Sequence, residues 1–339
     1  MSYRKSRAGS EQTAKKGAPQ KAIPLTSLHE KDLLTLETLS VSEIELILRT
    51  AESMKEVLSR PVPRVPALLD KTVVLLFYEP STRTRASFEL AAKALSANVS
   101  SLQVAASSFK KGESLKDAAR TLEAIGADAI VIRHDAAGAP ELVAKSVKGS
   151  VINAGDGRHA HPTQGLLDLL TVRERKGDIR GQKIAIVGDI AHSRVARSNI
   201  WGFSKLGAEV IVVAPKPYIP MGIESMPVRV SHNLDEILPE VDVLYLLRIQ
   251  LERGAGDWLP SIEEYVRFYG ITTERMGRAK KGVIVMHPGP INRGVEIESA
   301  VADGPYTVIL DQVQNGVAVR MATLYLLLGG EKNATLELN

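Results

Sequence analysis

Ser81-Thr82-Arg83-Thr84-Arg85 places three hydroxyls and two guanidiniums on consecutive residues. The run follows an apolar, β-branched stretch and opens a segment of helical pattern. A helix N-terminus presents unpaired N–H groups and about half a positive charge, so it attracts anions. Arginines are least welcome there unless an anion answers them, and phosphate suits this donor set best. The competing reading is a hydroxyl N-cap whose arginines face solvent or a carboxylate such as Glu79. The density of donors favours the phosphate site, with Arg85 the more structural of the two arginines. A Gly-x-x-x-x-Gly-Lys-Ser/Thr loop is absent, so nucleotide hydrolysis is not indicated. Val187-Gly188-Asp189-Ile190-Ala191 is the only candidate dinucleotide turn, and it lacks the second and third glycines of that fingerprint.

Other reactive groups recur at the ends of apolar runs: Arg133-His134, Asn153 to His161, Gly188 to Arg194, Arg248-Ile249-Gln250 and His287-Pro288-Gly289-Pro290. They supply cations and amides and almost no acids. Arginine suits planar, bidentate recognition of carboxylate and phosphate. His159-Ala160-His161 has a spacing seen in metal sites, but no acid pair or cysteine completes a ligand set, so no metal is expected. The chain has no cysteine, which excludes a disulfide scaffold, a thiolate nucleophile and an iron–sulfur cluster. No cofactor is called for.

The elements that must hold these groups alternate. Lys71–Phe77 reads as a buried strand, Ser81–Ala97 as a helix and Asn98–Ala105 as a strand. Leu115–Ile125 is helical, Ala129–Arg133 a strand and Glu141–Val147 helical. Val151–Asn153 is a strand that ends at the turn cluster Gly155-Asp156-Gly157. Further on, strands are expected at Lys183–Val187, Glu209–Ala214, Val241–Leu247 and Gly282–Met286, with helices at Ser193–Leu206, Leu234–Ile237 and Val317–Leu328. The segment from Glu252 to Gly282 reads as a lid or surface loop. Ahead of all these, Ser42-Glu43-Ile44-Glu45 has the capping-box form and starts a helix. Such alternation predicts α/β architecture: two doubly wound parallel-sheet domains joined by interdomain helices. The expected bounds are 23–160 for the first domain and 161–314 for the second, with a C-terminal helix over 315–339 packing back on the first. Ligands bind beyond the carboxyl ends of strands in such sheets, where the groups above fall.

Composition agrees with this size: 339 residues, 44% hydrophobic and 24% charged, suit two globular domains. The net charge is +4, yet residues 1–22 alone carry six basic residues and one acid, leaving the rest at −1. The basicity therefore belongs to a tail over 1–22, read as a disordered extension, and nucleic acid is not expected as a partner. The tail lacks the apolar core of a secretory signal, so export is not expected. No apolar run approaches the roughly 20 residues of a membrane helix, so a soluble protein is expected.

Phe77-Tyr78-Glu79-Pro80-Ser81-Thr82-Arg83-Thr84-Arg85 resembles the carbamoyl-phosphate signature of the transcarbamoylases, and His161-Pro162-Thr163-Gln164 resembles their second motif. The resemblance continues, in order, through Lys110-Lys111-Gly112-Glu113, Val187-Gly188-Asp189, Arg248-Ile249-Gln250 and His287-Pro288-Gly289-Pro290. It spans nearly everything from Ile23 onward. It points to the aspartate branch: the His-Cys-Leu-Pro and Ser-Met-Gly motifs of the ornithine branch are missing. The resemblance implies a cytoplasmic enzyme of pyrimidine synthesis that joins carbamoyl phosphate to L-aspartate. It implies that Ser81, Thr82, Arg83 and Thr84 hold the phosphate, with Arg83 meeting the charge of the leaving group. Thr84, Arg133 and His161 would face the carbamoyl carbonyl oxygen. Gln164 and the carbonyls near Gly289-Pro290 would accept from the carbamoyl NH2, and a cis peptide is implied before Pro290. Arg194 and Arg248, with Gln250, would bind the aspartate carboxylates. Ser107 and Lys111 would reach a neighbouring subunit's site in a homotrimer, Lys111 also toward aspartate. Regulatory chains or dihydroorotase are possible further partners. A transcarbamoylase for another amino acid such as ornithine, an inactive scaffold and a nicotinamide-dependent dehydrogenase remain alternatives.

Overall fold

The computed structural model describes residues 27–103, 114–249 and 261–329. The expectations for the tail over 1–22 and for the last ten positions of the helix over 315–339 lie outside those residues, as do Ser107, Lys111 and Gln250.

The first half runs α1 (Val41–Leu58), β1 (Thr72–Phe77), α2 (Thr82–Ala94), β2 (Asn98–Gln103), α3 (Leu115–Ala124), β3 (Ala129–His134), α4 (Ala139–Ala144) and β4 (Ser150–Asp156). α5 (Pro162–Lys176) leads to the second half. There follow β5 (Lys183–Val187), α6 (Arg194–Lys205), β6 (Glu209–Val213), β7 (Arg229–Ser231), α7 (Leu234–Ile237) and β8 (Val243–Leu246). The chain closes with α8 (Ile262–Tyr269), α9 (Thr273–Arg278), β9 (Ile284–Met286), α10 (Ser299–Ala302) and α11 (Ile309–Leu328).

The strands form two sheets, ordered β2-β1-β3-β4 and β7-β6-β5-β8-β9, and every strand pair is parallel. In the first, alternate residues serve opposite faces. Val73, Leu75 and Phe77 join the large core beneath α1, α2 and α11, while Val74 and Leu76 join a smaller one with Leu122 of α3 and Val143 of α4. Helices thus cover both faces, which is why these strands read as unbroken apolar runs. α11 packs on α1, α2 and α5, so it returns from the second sheet to the first.

Several bounds differ from the sequence expectation. α1 starts at Val41, and its capping box is Ser40 with Glu43: Glu43 N–H donates to Ser40 Oγ at 3.2 Å and Ser40 N–H to Glu43 Oε2 at 2.9 Å. Two overlapping Ser-x-x-Glu patterns compete, and Glu45 of the other one is taken by Arg173 of α5 at 2.6 Å. β4 continues through Gly155 to Asp156 rather than stopping at Asn153. Residues 261–282, expected as loop, hold α8 and α9. α11 starts at Ile309 rather than Val317, because its early polar residues Gln312 and Asn315 are buried against α5.

Candidate active site

Each sheet reverses its strand order once, between β1 and β3 in the first and between β5 and β8 in the second. Such switch points open crevices at the carboxyl ends of the strands. Here the two crevices share one cleft of about 660 Å³, lined from one side by Glu79–Thr84 and Arg133 and from the other by Ser193, Arg194, Leu247 and Arg248. The start of α5 contributes His161 and Gln164, and the turn after β9 contributes His287–Pro290. Among the described lining residues stand five arginines and one carboxylate, so the cleft favours anions.

At one end, α2 begins with Ser81 as an extended N-cap whose side chain makes no capping bond, and its first turn carries no acid. Its hydroxyl and the first N–H groups are directed to no helical partner of their own. Thr84 is buried on this turn and Arg83 is exposed. The Arg83 guanidinium reaches across to the second half: a Cβ on Gly289 would sit 3.4 Å from Arg83 Cζ. The Gly289–Pro290 peptide is cis. His287 holds this turn, accepting Gly289 N–H on Nδ1 at 2.8 Å while its Nε2 meets Glu296 at 3.2 Å. The Nδ1 bond to an amide N–H makes Nε2 the protonated nitrogen.

Behind this lies a clamp that binds the two halves. Glu79 Oε1 accepts from Arg133 Nη2 at 2.9 Å and from Arg194 Nη2 at 2.8 Å, while Oε2 accepts from Arg194 Nη1 at 2.9 Å. Arg133 Nη1 also donates to the Ala154 carbonyl at 3.2 Å, and Arg194 Nη1 to Gly157 at 3.3 Å. The sheet is irregular beside Arg133, where the β3–β4 register shifts between Ile132 and His134, a device that re-aims a side chain. Gly155 makes room for both guanidiniums. Its φ is +114°, and a Cβ there would lie 3.0 Å from Arg194 Nε and 3.1 Å from Arg133 Nη1. Gly155→Ala is therefore expected to destabilise the fold by about 1–3 kcal/mol and to misplace both arginines. Denaturant unfolding checks this, beside KM for the aspartate that the sequence resemblance implies as substrate; an alanine variant unchanged in both would show that the clamp tolerates a side chain.

His161 is the N-cap of α5, with Pro162 in the first helical position, where its missing N–H is no loss. Its backbone N–H donates to Ser198 Oγ of α6 at 2.9 Å. Burial, followed by the charges of Arg133, Arg194 and Arg320, holds the imidazole well below its usual 6.5, so it stands neutral. A neutral imidazole can donate its ring N–H to a developing negative oxygen without giving the proton up.

All the sequence-predicted positions within the described residues line this cleft: Ser81, Thr82, Arg83, Thr84, Arg133, His161, Gln164, Arg194, Arg248, Gly289 and Pro290. Three lining features go beyond the sequence expectation. Glu79 answers Arg133 and Arg194 rather than the arginines of its own segment. His192 pairs its Nδ1 with buried Asp189 at 2.8 Å. Arg320 of α11 donates to Ser87 Oγ at 2.8 Å, lies 5.0 Å over the Phe88 ring and is lowered by burial to about 10. A buried arginine inside an apolar helical pattern was the available signal for the last. Gly188, the candidate dinucleotide turn, is needed for packing: its φ is +124° and a Cβ would meet the Leu247 carbonyl at 2.9 Å.

Two family models match successive stretches of the chain along this architecture. Residues 31–174 match the carbamoyl-P binding domain of aspartate/ornithine carbamoyltransferase, and residues 180–327 match its Asp/Orn binding domain. The chain belongs to the aspartate/ornithine carbamoyltransferase family. Within that family it is 58% identical over 303 residues to the aspartate carbamoyltransferase catalytic subunit of Moorella thermoacetica, covering 89% of this chain and 99% of the relative. The corresponding subunit of Desulfosudis oleivorans is 56% identical over 307 residues, covering 91% and 99%. Aspartate transcarbamoylase of Trypanosoma cruzi, solved with carbamoyl phosphate and aspartate, matches with a TM-score of 0.81 and 31% identity, covering 90% and 98%. The ornithine carbamoyltransferase of Pyrococcus furiosus matches with a TM-score of 0.80 and 30% identity, covering 90% and 99%. Carbamoyltransferase structure is thus shared across both branches. The two bacterial aspartate carbamoyltransferase catalytic subunits share 58% and 56% identity with the chain.

Proposed function

We propose that this chain is the catalytic chain of an aspartate carbamoyltransferase, converting carbamoyl phosphate and L-aspartate to N-carbamoyl-L-aspartate and phosphate. The observation that carries this is the arginine-rich cleft between two switch points, in a chain 58% identical to such a catalytic subunit. Both substrates are anions, and the cleft offers five arginines against one glutamate among its described lining residues.

The reaction needs no covalent intermediate. The neutral amine of aspartate attacks the carbamoyl carbon, the carbon–oxygen bond to phosphate breaks, and the departing phosphate takes the amine's proton. Ser81, Thr82, Arg83 and Thr84 hold the phosphate at the start of α2. Thr84, Arg133 and His161 face the carbonyl oxygen as it becomes negative. Gln164 and the carbonyls of the Gly289–Pro290 turn accept from the NH2 group. Arg248 takes one aspartate carboxylate and Arg194 the other. Glu79 occupies the Nη1 and Nη2 end of Arg194, which leaves the Nε–H side of its fork for that carboxylate. Gln250 and Lys111 complete the aspartate site. Holding both reactants together contributes up to about 7–11 kcal/mol to lowering the barrier.

The same reading takes 23–160 as the carbamoyl-phosphate domain and 161–314 as the aspartate domain; the family matches over 31–174 and 180–327 put the division after α5 rather than before it. It includes a homotrimer in which Ser107 and Lys111 enter a neighbouring subunit's site, and a cytoplasmic role in pyrimidine synthesis, with regulatory chains or dihydroorotase as candidate partners. No helix among the described residues is long and apolar enough to cross a membrane.

Product formation from carbamoyl phosphate, with aspartate and ornithine offered separately, tests the reading. Turnover is expected with aspartate only. Turnover with ornithine alone would move the chain to the other branch, and silence with both in folded protein would remove the transferase activity.

A further inference from the structure

Beneath the cleft lies a buried carboxylate that takes no part in the steps above. Asp168, on α5, is fully buried. Its Oδ1 accepts from Gln164 Nε2 at 3.1 Å and from Gln312 Nε2 of α11 at 2.8 Å. Its Oδ2 accepts from Asn199 Nδ2 of α6 at 3.0 Å. Tyr245 of β8 packs against it, and Arg320 of α11 supplies a favourable charge nearby.

A side-chain amide has one oxygen and one NH2, and either end can face a given neighbour. An ionised carboxylate only accepts, so it admits only the NH2 end. With Gln164 Nε2 turned toward Asp168, the Gln164 carbonyl oxygen is the end left for the cleft. That oxygen is the one able to accept from a substrate NH2. The same logic runs through Gln312: with its Nε2 on Asp168, its Oε1 accepts the His287 N–H at 3.0 Å. His287 leads into the Gly289–Pro290 turn, the other acceptor assigned to the NH2 group.

We propose that Asp168 is a positioning residue for the carbamoyl NH2: its carboxylate sets the amide orientation of Gln164 directly and steadies the His287–Pro290 turn through Gln312. The proposal rests on the carbamoyl-transfer reading and adds a specific origin for how the NH2 group is told from an oxygen.

Holding this carboxylate ionised inside the protein has a cost. Burial pushes the Asp168 carboxyl up to about 6, against hydrogen bonds that pull it down. A group whose folded pKa is raised contributes stability below its ordinary 3.8 and loses it as pH rises through about 6. Near neutral pH the ionised form is therefore less favourable in the fold than in the unfolded chain.

The test is a double-mutant cycle of Asp168→Ala and Gln164→Ala, read as kcat/KM for carbamoyl phosphate at saturating aspartate. Each single variant is expected to lose about 10- to 100-fold, and the double variant no more than the worse single one. Asp168→Asn keeps one oxygen for both glutamine amides, and Asn199 can turn its Oδ1 to meet the new NH2. It is expected to recover most of the loss and to be no less stable than the unsubstituted chain at neutral pH. If the Asp168→Ala variant fails to fold, Asp168→Leu, of similar branched shape, replaces it in the cycle. Additive losses, an Asp168→Asn variant as impaired as the alanine one, or an unchanged kcat/KM would each overturn the proposal. Turnover by the unsubstituted chain is measured first: its absence removes the transferase reading itself, whereas turnover with additive losses removes only the role of Asp168.

Discussion

Arg83→Ala is expected to lower kcat/KM for carbamoyl phosphate roughly 1000-fold while shifting the unfolding free energy by only about 0.5 kcal/mol. The two halves of that expectation come from the same geometry. Arg83 sits on the first turn of α2, exposed to the cleft, and makes no ion pair among the described residues. Arg133 and Arg194 are committed to Glu79 in the folded protein, so removing either leaves a partly buried carboxylate short of a partner. Removing Arg83 strands nothing. Its guanidinium stands beside Gly289, at the place where the start of α2 in the first half meets the turn of the second. In the proposed reaction a departing phosphate gains charge there, and a cation in the cleft stabilises that charge more than it stabilises the bound substrate. Arg83→Lys keeps the charge without the planar fork and is expected to recover only part of the rate. Steady-state kinetics on both variants, beside denaturant unfolding, decides the matter. An alanine variant within about tenfold of the unsubstituted rate would mean that the α2 terminus and its hydroxyls carry the phosphate alone.

Arg83 and its neighbours were legible in the sequence because the fold places chemistry at strand ends, and strand ends are legible. Both sheets are covered on two sides, so their strands stand out as apolar runs, and the residues just beyond them become candidates without further knowledge. The expectations that shifted share a different cause. The capping box moved from Ser42 to Ser40 because two identical local patterns compete, and a distant partner, Arg173, claims Glu45. The start of α11 was hidden because Gln312 and Asn315 break an apolar pattern from within the core. Their partners, Asp168 and Thr171, are more than a hundred residues earlier in the chain. Glu79 as a clamp, and Asp168 as an orienting acceptor, were invisible for the same reason. A buried polar residue announces itself in sequence as an interruption, and only the packed structure shows what it satisfies.

The neutral state of His161 leads to the second large effect. His161→Ala is expected to lower kcat about 100- to 1000-fold, the loss typical when one donor to a developing oxyanion is removed. Its pKa gives that variant a second signature with a definite sign. Burial first, then Arg133, Arg194 and Arg320, hold the imidazole below its ordinary 6.5 in the fold, whereas the unfolded chain titrates near that value. Below 6.5 the unfolded state therefore binds the extra proton more readily than the folded one. The stability tied to neutral His161 is complete above 6.5 and drains away as pH falls beneath it. The alanine variant lacks this titration, so its unfolding free energy should fall less steeply with acid than that of the unsubstituted chain. Denaturant unfolding across the range from neutral to mildly acid pH, set beside kcat, separates the outcomes. A large loss of kcat with the flatter acid limb is the expected pair. An equally steep limb would mean that His161 is protonated in the fold, and the three guanidiniums around it would then have to be arranged to tolerate a fourth positive charge.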